Sequence, residues 1–393
     1  MVHCLTFSNI NFFYIIKIFR TRPVAGGSAL NTATHLSSLL NFFEHGYMLQ
    51  GVKEKSEDQW LETKVTLQTV MNENDNYGKI LIKHLEKQKI NLQNLLKDYD
   101  SSDEENQSTG HCVVIVANGE RSFMTYLGCV GNFQASQINT QQLIENDSTM
   151  HHKHIHVAGY YNIPGFWNGL LKQELSTIKN KRKDDCNQNG GISSTTISIV
   201  PQHDATGQWD GQLLDLLYLV DFLILNCLEA LRICKLEGSV DLLNDISIDS
   251  NSTWDFMASF FQSASSTTYV VVTLGKRGVV VLYQGKILCI VKPPIVYDNP
   301  VDPTGAGDAF IAGFLFGLIS HWKTNDPRNA LIFSDNNQKS SHECSSWKES
   351  IKYGATWGCI TGSACVMSKG ASNPSTKEHI MELYNMSSKD IQK

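Results

Sequence analysis

Short runs rich in Val, Ile and Leu, set between helical stretches, constrain this chain more than any other feature. Thr196–Val200, Val220–Leu225 and Val270–Val272 have the length and composition of buried strands. The order strand, helix, strand predicts an α/β domain with a doubly wound central sheet and helices on both faces. With 393 residues, 41% of them hydrophobic, the chain is long enough for one large domain or two ordinary ones. The net charge of −6 comes from interspersed acids and bases, with no basic stripe for nucleic acid and no polybasic membrane patch. No apolar run reaches the length of a membrane span, since Lys17 and Arg20 interrupt the only candidate, Phe12 to Phe19, so a soluble protein is expected. Ten cysteines lie without a C-x-x-C pair. Cys227, Cys289, Cys359 and Cys365 sit in apolar surroundings, as buried free thiols do, which fits a reducing compartment and a cytoplasmic protein.

Chemistry concentrates in Val301-Asp302-Pro303-Thr304-Gly305-Ala306-Gly307-Asp308-Ala309-Phe310. Pro303 and the small residues Gly305, Ala306 and Gly307 make a tight loop, and an apolar helix follows from Phe310 to Ile319. A helix start carries free N–H donors and partial positive charge, so such a loop is an anion site. Asp308 in the first turn would repel a bound phosphate but suits a base that takes a proton from an attacking hydroxyl. Together these features suggest phosphoryl transfer. The plain alternative is a glycine-rich helix start with Asp308 as an ordinary N-terminal charge.

The whole run resembles the C-terminal signature of the ribokinase-like (PfkB) family of carbohydrate and nucleoside kinases. The resemblance extends from about Val24 to the C-terminus and implies a ribokinase-like fold with a small β lid built from the early strands. It implies that Gly305, Ala306 and Gly307 form the anion hole, that Asp308 is the catalytic base, and that Asp302 helps hold a monovalent cation such as K+. Gly26, Gly27 and Asn31 match the N-terminal signature that contacts sugar hydroxyls, although Ser28 replaces the Lys of ribokinases proper, which counts against D-ribose. Gly119-Glu120-Arg121-Ser122-Phe123 resembles the hairpin near the substrate, making Arg121 a candidate contact or a solvated charge. Asn226 and Glu229 match the N-x-x-E motif that orders water around Mg2+ and phosphate; by themselves they also fit a helix capping box. Thr273, Gly275 and Gly278 match the ATP loop, where a plain hairpin would need glycines too. The implied reaction is transfer of the γ-phosphoryl group of ATP to a sugar hydroxyl, with ATP and Mg2+ as cofactors and a homodimer through the lid as the assembly the family admits. A nucleoside kinase and a non-catalytic sugar- or nucleotide-binding protein are the alternatives. Neither a P-loop nor G-x-G-x-x-G is present.

Other stretches carry structural expectations. Residues 1–23 form an atypical start: the family pattern has a substrate-binding Asp upstream of the paired glycines, and here the first Asp is Asp58. Either the chain start departs from the family or the substrate is held differently. Residues 24–393 are expected to be one kinase domain with polar insertions near 42–63, 179–191 and 321–349. Asn74–Gly78 should cap a helix beginning near Lys79, and Asn118-Gly119 should turn a hairpin. His154 and His156 alternate on one strand face, and without a partner set at zinc spacing they are expected to be satisfied strand residues rather than ligands. Asp204 follows a strand at its C-terminal end and is a candidate ligand contact. The C-terminal helix from Tyr353 to Val366, with the turn at Lys369-Gly370-Ala371, is expected to wall the adenine pocket by the same resemblance.

Overall fold

The computed structural model describes residues 23–43, 63–96, 108–117, 120–144, 153–188, 195–236, 251–324 and 341–391. Its centre is a six-stranded sheet made of β5 (Lys153–Ala158), β6 (Thr195–Val200), β7 (Phe222–Asn226), β8 (Tyr269–Thr273), β9 (Val279–Tyr283) and β10 (Lys286–Val291), side by side in chain order. Strands β5 to β8 pair in parallel, and β9 and β10 add antiparallel edges. Because side chains alternate across a strand, apolar residues in succession serve two faces. Phe222 and Ile224 of β7, with Val271 of β8, pack into one core against α7 (Ala306–Thr324) and α8 (Ser341–Cys365). Leu223 and Leu225, with Val270 and Val272, pack into the other, which also takes in Leu171 and Leu175 of α4 (Leu170–Gln188) and Ala230 and Leu231 of α5 (Cys227–Ile233). Trp254 and Phe261 of α6 (Asn251–Ala264) complete that second core. The doubly wound sheet with helices on both faces is therefore present.

Two small sheets stand apart from this one. In the first, β1 (Thr66–Thr69) and β2 (Asn91–Asn94) run parallel, joined by α2 (Asn76–Lys87). The second is an antiparallel ribbon of β3 (His111–Ala117) and β4 (Glu120–Tyr126), in register from His111–Tyr126 to Ala117–Glu120; its turn at 118–119 lies outside the described residues. Exposed Val113 and Met124 face each other across the ribbon, as expected of a lid with little core beneath it.

Helix α2 begins at Asn76, three residues before the expected start, because Asp75 caps it: Gly78 N donates to its carboxylate at 2.6 Å and Thr109 N donates at 2.7 Å. Burial pushes the Asp75 carboxyl up, but the bonds from Gly78, Thr109 and Tyr77 outweigh it and hold it below its usual range. Asp75→Ala is expected to cost about 0.5–2 kcal/mol in urea unfolding at neutral pH. Since the folded-state value is depressed, that contribution is present above the unfolded value of about 4 and lost as pH falls through the folded one. The gap between variant and wild type should narrow at acidic pH.

Two stretches expected to be polar insertions are partly helical. The charged segment from Lys179 belongs to α4 as far as Gln188. Lys, Arg and Gln are good helix formers, so a polar segment of this kind is compatible with helix as well as with a connector. Likewise α7 runs on to Thr324 and α8 starts at Ser341, with Trp347 and Ser350 buried, so both ends of the 321–349 stretch are helix; 325–340 lies outside the described residues. Residues 1–22 and 44–62, with the atypical start and Asp58, also lie outside them. Among the described residues no helix is long and apolar enough to cross a membrane.

Candidate active site

Helix α1 (Ser28–Phe43) packs along α7, and their N-termini meet. Each starts after glycine: Asn31 N donates to Gly27 O at 2.8 Å, and Ala309 N to Gly305 O at 2.8 Å. The two signatures, more than 270 positions apart, join at Asp308. Ser28 Oγ donates to Asp308 Oδ1 at 2.7 Å, and Asn31 Nδ2 donates to Oδ2 at 2.8 Å. Thr32 Oγ1 reaches the Asp308 carbonyl at 3.4 Å. Removal from water pushes the Asp308 carboxyl up to about 6, opposed by the bonds from Ser28 and Asn31. Asn31 is buried, and its Oδ1 has no hydrogen-bond partner. A buried amide oxygen left without a donor fits a site that takes a hydroxyl-bearing ligand.

Gly305 sets the geometry of the loop that leads into α7. Its φ is +81°, and a Cβ there would lie 2.7 Å from Ala371 Cα. By contrast a Cβ on Gly307 would meet nothing within 4 Å, so the first turn of α7 is open on that side. First-turn amides of a helix have no intrahelical acceptor; that of Ala306 donates to Pro303 O at 3.3 Å, within the loop ahead of the helix. Gly26 and Gly27 are exposed, with open space around their α-carbons.

The loop ahead of Gly305 is tied to the turn after α8. Asp302 Oδ1 accepts from Thr304 N at 3.0 Å and Oδ2 from Gly370 N at 3.0 Å, while Val301 N and Asp302 N donate to Val366 O at 2.8 and 3.1 Å. His35 Nε2 and the Ala371 carbonyl are 3.0 Å apart, and Ser372 Oγ donates to Ala25 O at 2.6 Å. The turn therefore braces the anion-hole loop and the segment leading into the paired glycines together. His35 and Ser372 carry no signal in the sequence, because what they touch is backbone distant along the chain.

Asn226 and Glu229 stand at the C-terminal end of β7 as a complete capping box: Glu229 N donates to Asn226 Oδ1 and Asn226 N to Glu229 Oε2, each at 2.9 Å. Glu229 is buried, which pushes its carboxyl up to about 7; the bonds from Asn226 oppose the shift and the Asp308 charge adds to it. The Asp308 charge is thus felt at Glu229. Thr273 is the β8 partner of Asn226, and Gly275 lies in the short turn that follows. Gly278 has a packing reason to be glycine, since a Cβ would fall 2.0 Å from Val291 O. Arg121 lies on β4 opposite Val116; its side chain lies outside the described residues.

Two sequence candidates have structural roles. Asp204 is buried, and both its oxygens close its own loop, accepting from Thr206 N at 2.8 Å and Trp209 N at 2.6 Å. His154 bonds Thr196 and Ser198, and His156 bonds Ser198, each at 2.8 Å. Burial holds them down to about 3 and 4, so both rings are neutral at physiological pH. Among the described residues no three His, Cys, Asp or Glu side chains converge as a metal cage requires.

Comparison with known proteins bears on the fold and the family. A ribokinase from Giardia lamblia superposes with a TM-score of 0.62 at 18% identity, over 91% of this chain and 88% of that one. A fructokinase from Vibrio cholerae O395, in its fructose-, ADP- and calcium-bound form, superposes with a TM-score of 0.53 at 16% identity, over 91% and 90%. At such identities the likeness is one of fold, the ribokinase-like fold. A fructokinase from Escherichia coli is 46% identical over 59 residues, a stretch that spans 15% of this chain and only 18% of that enzyme. The family model for the pfkB family carbohydrate kinases matches residues 14–377. The match covers most of the chain, which therefore belongs to the pfkB family of carbohydrate kinases.

Proposed function

We propose that this chain transfers the γ-phosphoryl group of ATP to a sugar hydroxyl, with Asp308 as general base. The observation that carries the reading is the meeting of the α1 and α7 N-termini around one carboxylate pushed up to about 6. A base near that value is ionised at neutral pH yet basic enough to accept a proton. The acceptor hydroxyl approaches Asp308, while a second hydroxyl of the same sugar donates to the orphaned Asn31 Oδ1. Amides at Gly305 and Gly307 would receive charge on the transferring group, while the Ala306 amide donates to Pro303 O at 3.3 Å and would have to turn from it to join them, and Gly26 and Gly27 let the sugar lie against backbone.

ATP would lie along the C-terminal ends of β7 and β8, between Asn226, Thr273 and Gly275. The residues present fit Mg2+ indirectly. Asn226 N occupies Glu229 Oε2 and leaves Oε1 to hold a metal-bound water. When bound, the ion offsets charge on the phosphate oxygens. Asp302 fits a monovalent cation such as K+ less directly, because both its oxygens accept backbone amides. Arg121 of the ribbon is a candidate sugar contact, and the ribbon a candidate dimer surface.

The test is ADP release with Mg-ATP across pentoses, hexoses, ketoses and nucleosides, beginning with fructose because of the short match to fructokinases. Activity on one sugar that vanishes in Asp308→Asn is expected. Silence across the panel with ATP still bound would establish a binding protein instead, and activity confined to nucleosides would move the acceptor class. On the active acceptor, kcat/KM should fall below a pH of about 6, as protonation removes the base.

A further inference from the structure

Helix α1 supplies a donor to each carboxylate oxygen of Asp308, and the two donors differ in kind. Asn31 is buried in the first turns and holds Oδ2 through a planar amide. Ser28 is the first residue of α1, half-buried, with one short rotor, and its bond to Oδ1 is an O–H to carboxylate bond of 2.7 Å. A sugar hydroxyl must make that same bond, at that distance, before it gives up its proton to Asp308. We propose that Ser28 is a positioning residue for Asp308: its hydroxyl orients the carboxylate, stands where the acceptor hydroxyl comes to lie, and yields Oδ1 when the acceptor arrives. This rests on the reading of Asp308 as the base.

Ser28 then has two opposed effects. By donating to the ionised carboxylate it favours the charged form and fixes the plane of the group, which aids the base. By holding the oxygen that the acceptor needs, it competes with binding. Removing the hydroxyl should lower kcat and KM together, the pattern of a lost ground-state interaction that also served orientation. It should also shift the titration of the base. Burial and the bonds from Ser28 and Asn31 set the Asp308 carboxyl, and the ionisable groups that feel its charge are Glu229 of α5 and Cys365 of α8, the latter also feeling Asp302. A moved acid limb in a Ser28 variant therefore reports the Ser28 bond.

The experiment is the pH dependence of kcat and KM for wild type, Ser28→Ala and Ser28→Thr, on the acceptor found in the panel. In Ser28→Ala the acid limb is expected to move up by about one pH unit, with kcat and KM each lower by about tenfold. Ser28→Thr, which keeps the hydroxyl, should restore the wild-type limb. An Ala variant with an unmoved limb and a raised KM would overturn the proposal, as would a Thr variant whose limb moves like that of Ala. If Ala does not fold, as judged by circular dichroism, the Thr limb alone decides. Asp308→Asn reports separately on the base: wild-type turnover there removes the underlying reading, whereas loss of turnover with an unmoved Ser28→Ala limb removes only the role of Ser28.

Discussion

Asp308→Asn is expected to lower kcat on the acceptor sugar by about 10²–10⁴-fold, the typical contribution of a positioned general base. The fold should survive the change. In the native protein both carboxylate oxygens accept bonds from α1, at 2.7 Å from Ser28 Oγ and 2.8 Å from Asn31 Nδ2. A carboxamide can keep both contacts, because its oxygen accepts from Asn31 while its NH2 donates to the Ser28 hydroxyl, which reverses its role. Loss of the buried charge also works in favour of the folded state. The Asp308 carboxyl is raised to about 6, so its ionised form is disfavoured in the folded protein, and the associated stability is lost as pH rises through that value. An uncharged side chain escapes that loss. Urea unfolding at neutral pH should therefore give a midpoint no lower than wild type while turnover collapses. Normal turnover would remove Asp308 from the chemistry, and a large fall in midpoint would make the lost turnover a folding defect.

The readability of the chain follows the range of its interactions. Strands β6, β7 and β8 are legible because burial on both sheet faces, Ile224 on one and Leu223 on the other, is written into composition. The cap at Asp75 is legible because its bond to Gly78 spans three residues, and the Asn226–Glu229 box for the same reason. Here the local cap is present, and it leaves Glu229 buried at the strand end. Polar segments were the weak point. Lys179 to Gln188 and Ser341 to Glu349 lack apolar period, and a helix without one gives little sign of itself in sequence.

The site divides along the same line. The run around Asp308 and the pair Gly26-Gly27 are visible as local patterns, but their meeting is a tertiary fact. Ser28 is visible in sequence only as a departure from lysine, while in the structure it holds the base. His35 and Ser372 are silent in sequence because their partners are main-chain atoms, the carbonyls of Ala371 and Ala25. Any side chain pattern could accompany those partners, so nothing in the residue types announces them.

The turn after α8 is the reason to expect a large effect from Gly305→Ala. Gly305 adopts φ of +81°, a left-handed conformation that costs an L-residue about 1–2 kcal/mol. The added methyl would also lie 2.7 Å from Ala371 Cα and Cβ and 2.8 Å from its carbonyl oxygen. Ala371 has little room to retreat, since His35 holds its carbonyl at 3.0 Å, Gly370 N is bonded to Asp302, and Ser372 to Ala25. The strain must then move the first turn of α7, and with it the anion-hole amides and Asp308. A displacement near 1 Å at reacting groups costs about 10²-fold in rate, and overpacking costs about 1–3 kcal/mol of stability. Gly305→Ala should therefore lower kcat by about 10²-fold and unfold at lower urea than wild type. Gly307→Ala separates the causes: its methyl meets nothing within 4 Å, so the fold should keep its stability or gain about 0.4–1 kcal/mol from reduced chain entropy. If Gly305→Ala matched wild type in both urea midpoint and kcat, the turn after α8 would not be what holds the anion hole. Equal destabilisation at 305 and 307 would trace the effect to helix propensity rather than to the clash with Ala371.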